Sequence, residues 1–134
     1  MLLSRGPSQR RKGFLLAVEL LLMLPIITAL FRGMVEFSMM ISSEARLAQA
    51  SREGARTGAV GGSEDDVKEA VKTVLGTAQY DLATVDSSLG TSVGDPVVVM
   101  VQIDATKVVP DFLAYVGFSI QNQKLVGRTV MRKE

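Results

Sequence analysis

The feature that most constrains this chain is an unbroken apolar run near its N-terminus. Residues 14–31 read FLLAVELLLMLPIITALF, an 18-residue run whose single charged residue is Glu19. As a helix the run would be about 27 Å long, close to the roughly 30 Å hydrocarbon core of a bilayer. Because the run is apolar on every side, it lacks the pattern of a surface helix in a soluble domain. We therefore predict a membrane-spanning helix over residues 14–35.

Two other interpretations of the run fit less well. A fully buried core helix would need more surrounding protein than a chain of 134 residues offers. A cleaved secretory signal has a shorter apolar stretch that is followed by small residues. The stretch from Arg32 to Phe37 offers no such cleavage site. We therefore expect the helix to be retained.

The basic residues before the run predict its orientation. Arg10, Arg11 and Lys12, with Arg5, precede every acidic residue, and the remainder of the chain has 11 basic and 14 acidic residues. Lys and Arg near a membrane helix favour the cytoplasmic side. We therefore predict a cytoplasmic leader over residues 1–13 of a single-pass inner-membrane protein whose C-terminal domain is extracytoplasmic. The positive charge is confined to this leader and aromatic residues are few, so we expect no nucleic-acid partner.

The composition also limits the chemistry. The sequence has no cysteine and no histidine, which excludes thiol nucleophiles, Cys/His zinc sites and histidine acid–base catalysis. Gly61-Gly62 lacks the Lys-Ser/Thr pair and the preceding strand of a phosphate-binding loop. Asp104 and Asp111 are too isolated to argue as an acid–base pair. We predict that the chain is not an enzyme and holds no cofactor or metal.

Two further helical segments are predicted after the membrane. Residues 36–60 show helical spacing without proline and should continue the first helix outside the bilayer. The Gly54–Gly58 spacing in this extension is weak evidence of close helix packing. Gly61-Gly62 ends the helix, and Ser63 has the character of an N-cap before acidic residues. An amphipathic helix follows from Val67 to Ala78, and its acidic start is better explained by capping than by metal binding.

The remaining residues are predicted to form strands. Candidates are Leu82–Val85, the β-branched run Pro96–Ile103 and the alternating stretch Ser119–Arg132, with a Ser/Gly-rich loop over 86–95. Val108 to Val116 should be an irregular connection with one helical turn. A helix packed on about three antiparallel strands gives an α+β extracytoplasmic domain over residues 63–134.

These features together resemble the TadE-like minor pilins, or pseudopilins, of tight-adherence (Flp) pilus systems. The resemblance covers nearly the whole chain. The matching segments are Arg10-Arg11-Lys12-Gly13, Ala17-Val18-Glu19, Leu24-Pro25, Val35-Glu36-Phe37, Ala50-Ser51-Arg52-Glu53-Gly54-Ala55-Arg56 and Met131-Arg132-Lys133-Glu134.

The resemblance implies a pilin-like fold and a structural role in pilus assembly or related secretion. It implies cleavage by a prepilin peptidase after Gly13, which would make Phe14 the new N-terminus. It also implies that Glu19 meets the freed amine of a neighbouring subunit. Glu19 would be sixth after the cut, whereas pilin-like proteins usually place this glutamate fifth. The implied partners are the membrane, other pilin-like subunits and the inner-membrane assembly platform, with possible entry into the pilus.

Two other functions are compatible with the residues. The first is a membrane-anchored extracytoplasmic binding module that has no connection with pili. The second is an anchored hydrolase, which would need a carboxylate or Ser/Lys site that the sequence does not reveal.

Overall fold

A computed structural model describes the backbone of residues 7–134 and the side chains from Lys12 onward. The four α-helices of this part of the chain are α1 (Pro7–Ala59), α2 (Glu64–Leu75), α3 (Thr77–Tyr80) and α4 (Ala105–Val108). The strands are β1 (Ala83–Ser88), β2 (Pro96–Asp104) and β3 (Lys124–Arg132), and a 3-10 helix covers Phe112–Val116. The predicted α+β fold is confirmed: a long apolar helix, a second helix and a three-stranded antiparallel sheet in the order β1-β2-β3.

The predicted membrane helix and its extension are one continuous helix. α1 includes Pro25 and continues without interruption into the folded domain. Its C-terminal part is buried against the sheet through Leu47, Ala50, Ala55 and Ala59. The same element therefore carries the apolar run at one end and supplies core residues at the other.

The start of α2 is capped as the sequence predicts. The Ser63 hydroxyl accepts a hydrogen bond from the Asp66 backbone N–H, and the Ser63 backbone N–H donates to the Asp66 carboxylate at 2.8 Å. The Ser63 hydroxyl also donates to this carboxylate, and these bonds lower the pKa of Asp66. The amphipathic face buries Val67, Val71 and Leu75. The helix ends at Leu75 rather than continuing to Ala78, because Gly76 adopts a positive φ of 77°.

The first strand is longer than the sequence indicates. β1 extends through Ser88, so the predicted loop over 86–95 begins only at Leu89. Asp86, Ser87 and Ser88 pair with Met100, Val99 and Val98 of the strongly β-forming strand β2. Backbone hydrogen bonds to β2 thus outweigh the low intrinsic strand preference of Asp and Ser.

The last strand is shorter than predicted, since β3 starts at Lys124 and not at Ser119. Asn122 has a φ of 67°, which is a left-handed and not an extended conformation. The strand therefore cannot extend from Lys124 back through this residue. The predicted irregular connection over 108–116 contains one short helix, the 3-10 helix, and α4 ends where this connection begins, at Val108.

Close packing around Gly54 and Gly58 brings α1, α2 and the sheet together. A Cβ atom at Gly54 would lie 2.9 Å from Val71 of α2 and 3.2 Å from Val99 of β2. At Gly58 it would lie 3.0 Å from Val97. The spacing of Gly54 and Gly58 is only weak evidence of close packing in the sequence. In the structure, side chains of α2 and β2 approach the α1 backbone at these two glycines.

The C-terminal residues are tied to the far end of the domain. The Glu134 backbone N–H donates to the Ala59 carbonyl at the end of α1, and Lys133 exchanges backbone hydrogen bonds with the 89–95 turn. Lys133 Nζ also donates to the Gly90 carbonyl at 2.7 Å. Backbone N–H donation from Ser92 and hydrogen bonds from Thr91 lower the pKa of Asp95 in this turn. These bonds fix the domain at the end opposite to the apolar run.

Candidate functional site

The N-terminal half of α1 stands free of the folded domain. Every side chain from Lys12 to Thr28 is exposed, and among the described residues α1 is the one helix that is long and apolar enough to cross a membrane. A soluble domain does not leave so large an apolar surface uncovered. The segment is therefore built to lie in an apolar surrounding.

The residues predicted to act in processing and assembly all lie on this free part of α1. Gly13 and Phe14 are exposed, and a Cβ atom at Gly13 would meet nothing within 4 Å. Glu19 is also exposed, and no hydrogen bond or ion pair joins it to another described side chain. Lys12 is exposed, whereas the side chains of Arg10 and Arg11 lie outside the described residues. Processing at Gly13 and pairing of Glu19 remain predictions.

A second glutamate of α1 has the opposite environment. Glu36 is only 3% exposed, although the side chains around it on the helix are solvent-accessible. Its Oε2 accepts hydrogen bonds from the backbone N–H groups of Phe112 at 2.8 Å and Leu113 at 3.1 Å. The first N–H groups of a helix lack internal partners, so a carboxylate there satisfies two of them. Glu36 thus fastens the 3-10 helix to α1.

Small residues on α1 let the 3-10 helix approach. A Cβ atom at Gly33 would touch Leu113 at 3.4 Å, so the Leu113 side chain rests almost directly on the helix backbone. Ala29, one turn before Gly33, is also partly covered. The covered face of α1 thus runs from the domain through Glu36 and Gly33 down to Ala29, which belongs to the apolar run.

Sequence reasoning missed the role of Glu36. The sequence signal available was its position: Glu36 is the one acidic residue between Glu19 and Glu44, just past the apolar run. A lone acid near a membrane boundary is costly unless it is paired or hydrogen-bonded. The two N–H donors belong to Phe112 and Leu113, which follow Glu36 by 76 and 77 positions in the chain. The sequence near Glu36 therefore gives no indication of this contact.

Replacing Glu36 by leucine should release the 3-10 helix from α1. The change leaves the Leu113 N–H without an acceptor and leaves the Phe112 N–H with only the Pro110 carbonyl at 3.1 Å. A backbone N–H that loses its acceptor costs about 1–3 kcal/mol. Hydrogen–deuterium exchange should therefore become much faster over residues 112–116. Glu36→Gln keeps one acceptor oxygen and should give an intermediate rate.

The exposed neighbour Phe37 provides the control, since Phe37→Leu alters apolar surface without touching these bonds. Unchanged exchange in the Glu36→Leu protein would show that other contacts hold the 3-10 helix.

Comparison with known families finds a match over part of α1, less than a third of the chain. Residues 16–56 match the family model described as TadE-like protein. This segment of the chain is similar to TadE-like proteins, and we call it the TadE-like segment. Comparison with curated proteins and with solved structures gave no match.

The TadE-like segment coincides with most of α1. It contains Glu19, the buried Glu36 and the close contact at Gly54, while the sheet and α2 lie outside it. The match supports involvement in tight-adherence pilus systems, and the free apolar helix agrees with a single-pass membrane protein.

The described residues offer no obvious site for metal chemistry. Among residues 12–134, no group of three or more acidic side chains converges closely enough to hold a metal ion. Of the acids at the start of α2, Asp66 is occupied by the capping bonds with Ser63. The notable features of the TadE-like segment are therefore its exposed apolar surface, Glu19 and the Glu36 contact.

Proposed function

We propose that this chain is a TadE-like minor pilin or pseudopilin, a structural component of tight-adherence (Flp) pilus assembly or related secretion. The observation that carries the proposal is a TadE-like helix that stands free over its apolar half and ends inside a small α+β domain. In this role the chain acts by packing and not by catalysis. Its partners are other pilin-like subunits and the inner-membrane assembly platform.

In this function Glu19 serves as an assembly contact. A carboxylate within the hydrocarbon costs about 2.5–3.5 kcal/mol on insertion scales, so a membrane helix retains one where it gains a partner. A neighbouring subunit's N-terminal ammonium is such a partner, and its attraction is much stronger in a medium of low dielectric constant than in water. The contact requires both a processed N-terminus and a neighbour, which would couple maturation to assembly.

Glu19→Leu should leave membrane insertion unchanged or improved, while recovery of co-purifying pilin-like partners falls several-fold. Sodium carbonate extraction measures membrane insertion, and quantitative mass spectrometry of the detergent-solubilised complex measures partner recovery. Glu44→Leu is the matched control, because Glu44 is an exposed glutamate of the same helix beyond the apolar run. Equal partner recovery in both variants would mean that Glu19 is only a tolerated polar residue.

Processing is proposed after Gly13 by a prepilin peptidase. The intact mass of the membrane-extracted protein gives its true N-terminus. A mass beginning at Phe14 is expected, and an unprocessed chain would remove the amine on which the Glu19 contact depends.

The N-terminus is proposed to be cytoplasmic and the domain extracytoplasmic. Replacing Arg10, Arg11 and Lys12 together by Glu removes the positive bias, so a large fraction of molecules should insert wrongly. Protease added to intact spheroplasts should cleave the native domain and spare the misinserted fraction of the variant.

The same charge change at the exposed residues Lys124, Arg128 and Arg132 of β3 is the control for this experiment. Protection of the native domain in intact spheroplasts would invert the proposed orientation.

The role in pili is tested by deleting the gene and counting surface pili. Normal piliation and adherence would favour the second candidate, a membrane-anchored extracytoplasmic binding module unrelated to pili. Adjacent genes for a prepilin peptidase, a secretion ATPase and platform proteins would favour the pilus.

A further inference from the structure

The loop over residues 110–123 carries an unusual amount of exposed apolar surface. This 110–123 loop includes the 3-10 helix, and Tyr115 is 90% and Phe118 73% exposed, with Val116 also largely uncovered. Its one charged residue is Asp111, whose Oδ2 accepts a hydrogen bond from the Ser119 hydroxyl at 2.7 Å. A water-facing loop is normally polar, so this composition needs an explanation.

The 110–123 loop lies beside the apolar run. Leu113, Val116 and Phe118 line an open groove of about 1000 Å³ whose other wall is α1 from Pro25 to Met40. Pro25, Ala29 and Leu30 of this wall belong to the apolar run. The groove therefore begins within the segment that would cross the hydrocarbon core.

The position of Glu36 gives the depth of the contact. Glu36 lies about 7 Å beyond Phe31 along the helix axis, within an outer headgroup region that is roughly 5–8 Å deep. Between Leu20 and Ser43 the charged residues of α1 are Arg32 and Glu36, and the loop covers the carboxylate of Glu36. Arg32 is exposed and has a long side chain that can reach the headgroups.

We infer that the 110–123 loop is a second membrane contact, which rests in the outer leaflet beside α1 with Tyr115, Val116 and Phe118 against lipid. The occupant of the groove is a lipid surface, because lipid surrounds the apolar run wherever α1 spans the membrane and the loop is continuous with that run. Aromatic residues with one apolar and one polar part favour this interface. The Glu36 bonds hold the loop at the correct height.

The inference rests on the membrane-spanning placement of α1 proposed above, and it can be tested separately from it. The chain has no native cysteine, so single cysteines can be spin-labelled without background. Labels at Tyr115→Cys and Phe118→Cys replace exposed side chains and leave the core intact. Leu22→Cys, at a position 68% exposed within the apolar run, reports the spanning helix, and Val93→Cys, 81% exposed in the distal turn, reports water.

The full chain would be reconstituted in phosphatidylethanolamine–phosphatidylglycerol vesicles and in nanodiscs that hold one copy each. Collisions with oxygen, which concentrates in lipid, are compared with collisions with a water-soluble nickel chelate. We expect the oxygen-to-nickel ratio at positions 115 and 118 to exceed that at 93 several-fold in both preparations, and the ratio at 22 to be the highest.

Each of the other outcomes contradicts one part of the inference. Ratios at 115 and 118 equal to that at 93, with 22 in hydrocarbon, would refute the loop contact while leaving the spanning helix intact. High ratios in vesicles that disappear in single-copy nanodiscs would mean that a second copy, and not lipid, covers the groove. A water-like ratio at 22 would refute the spanning placement, and the loop contact with it.

Discussion

Gly127→Ala should unfold the α+β domain or lower its melting temperature by about 12 °C or more. A Cβ atom at Gly127 would overlap the backbone carbonyl of Leu47 in α1, where β3 and α1 come closest. Overpacking costs up to about 3 kcal/mol when side chains can move aside, and backbone atoms in a central helix cannot. About 3 kcal/mol corresponds to a shift of this size in a domain of fewer than 100 residues.

Circular dichroism of the detergent-solubilised full chain would follow the transition. Arg128→Ala is the matched control, because it truncates the next residue of β3, whose side chain is exposed. That variant should stay within about 0.5 kcal/mol of the native protein. A Gly127→Ala protein with native stability would mean that α1 and β3 are further apart than the structure places them.

Val71→Asp should destabilise the same domain by about 4 kcal/mol or more. Val71 is fully buried and faces the Gly54 contact, where Val99 of β2 also points. The two side chains are similar in size, so the cost comes from burying a carboxylate without a partner. Because residue 71 lies far from the apolar run, sodium carbonate extraction should still find the variant in the membrane.

Val71→Thr separates polarity from charge at this position. A buried hydroxyl without a partner costs about 1–3 kcal/mol, so its melting temperature should lie between those of the native and Asp proteins. A Val71→Asp protein that melts like the native chain would place the core elsewhere.

The elements with strong local signals could be predicted from sequence. The apolar run, the Ser63 cap and the β-branched strand β2 each carry a pattern that one interaction type dominates, and all three lie where predicted. The predicted ends of the first and last strands were wrong because contacts with other parts of the chain and local backbone turns determine where a strand ends. Asp86 to Ser88 become strand by pairing with β2, and the residues before Lys124 leave the strand because Asn122 turns the backbone.

The candidate site was only partly predictable for a similar reason. Glu19 is conspicuous because a charge in an apolar run is rare, so one segment is enough to single it out. Glu36 acts through backbone N–H groups of Phe112 and Leu113, and nothing near it in sequence marks that meeting. Likewise, the spacing of Gly54 and Gly58 could not indicate which side chains would fill the space above them.

The uninterrupted course of α1 has a mechanical consequence. The helix is about 80 Å long and passes from the apolar run into the core without a linker, and the Glu36 bonds brace the domain against it. Axial force or torque applied to the exposed N-terminal half of α1 is therefore transmitted to the sheet with little lost in bending. Rotating the helix by one residue position turns the domain through about 100°. The rotational setting at which the N-terminal half is held therefore determines the direction in which the domain points.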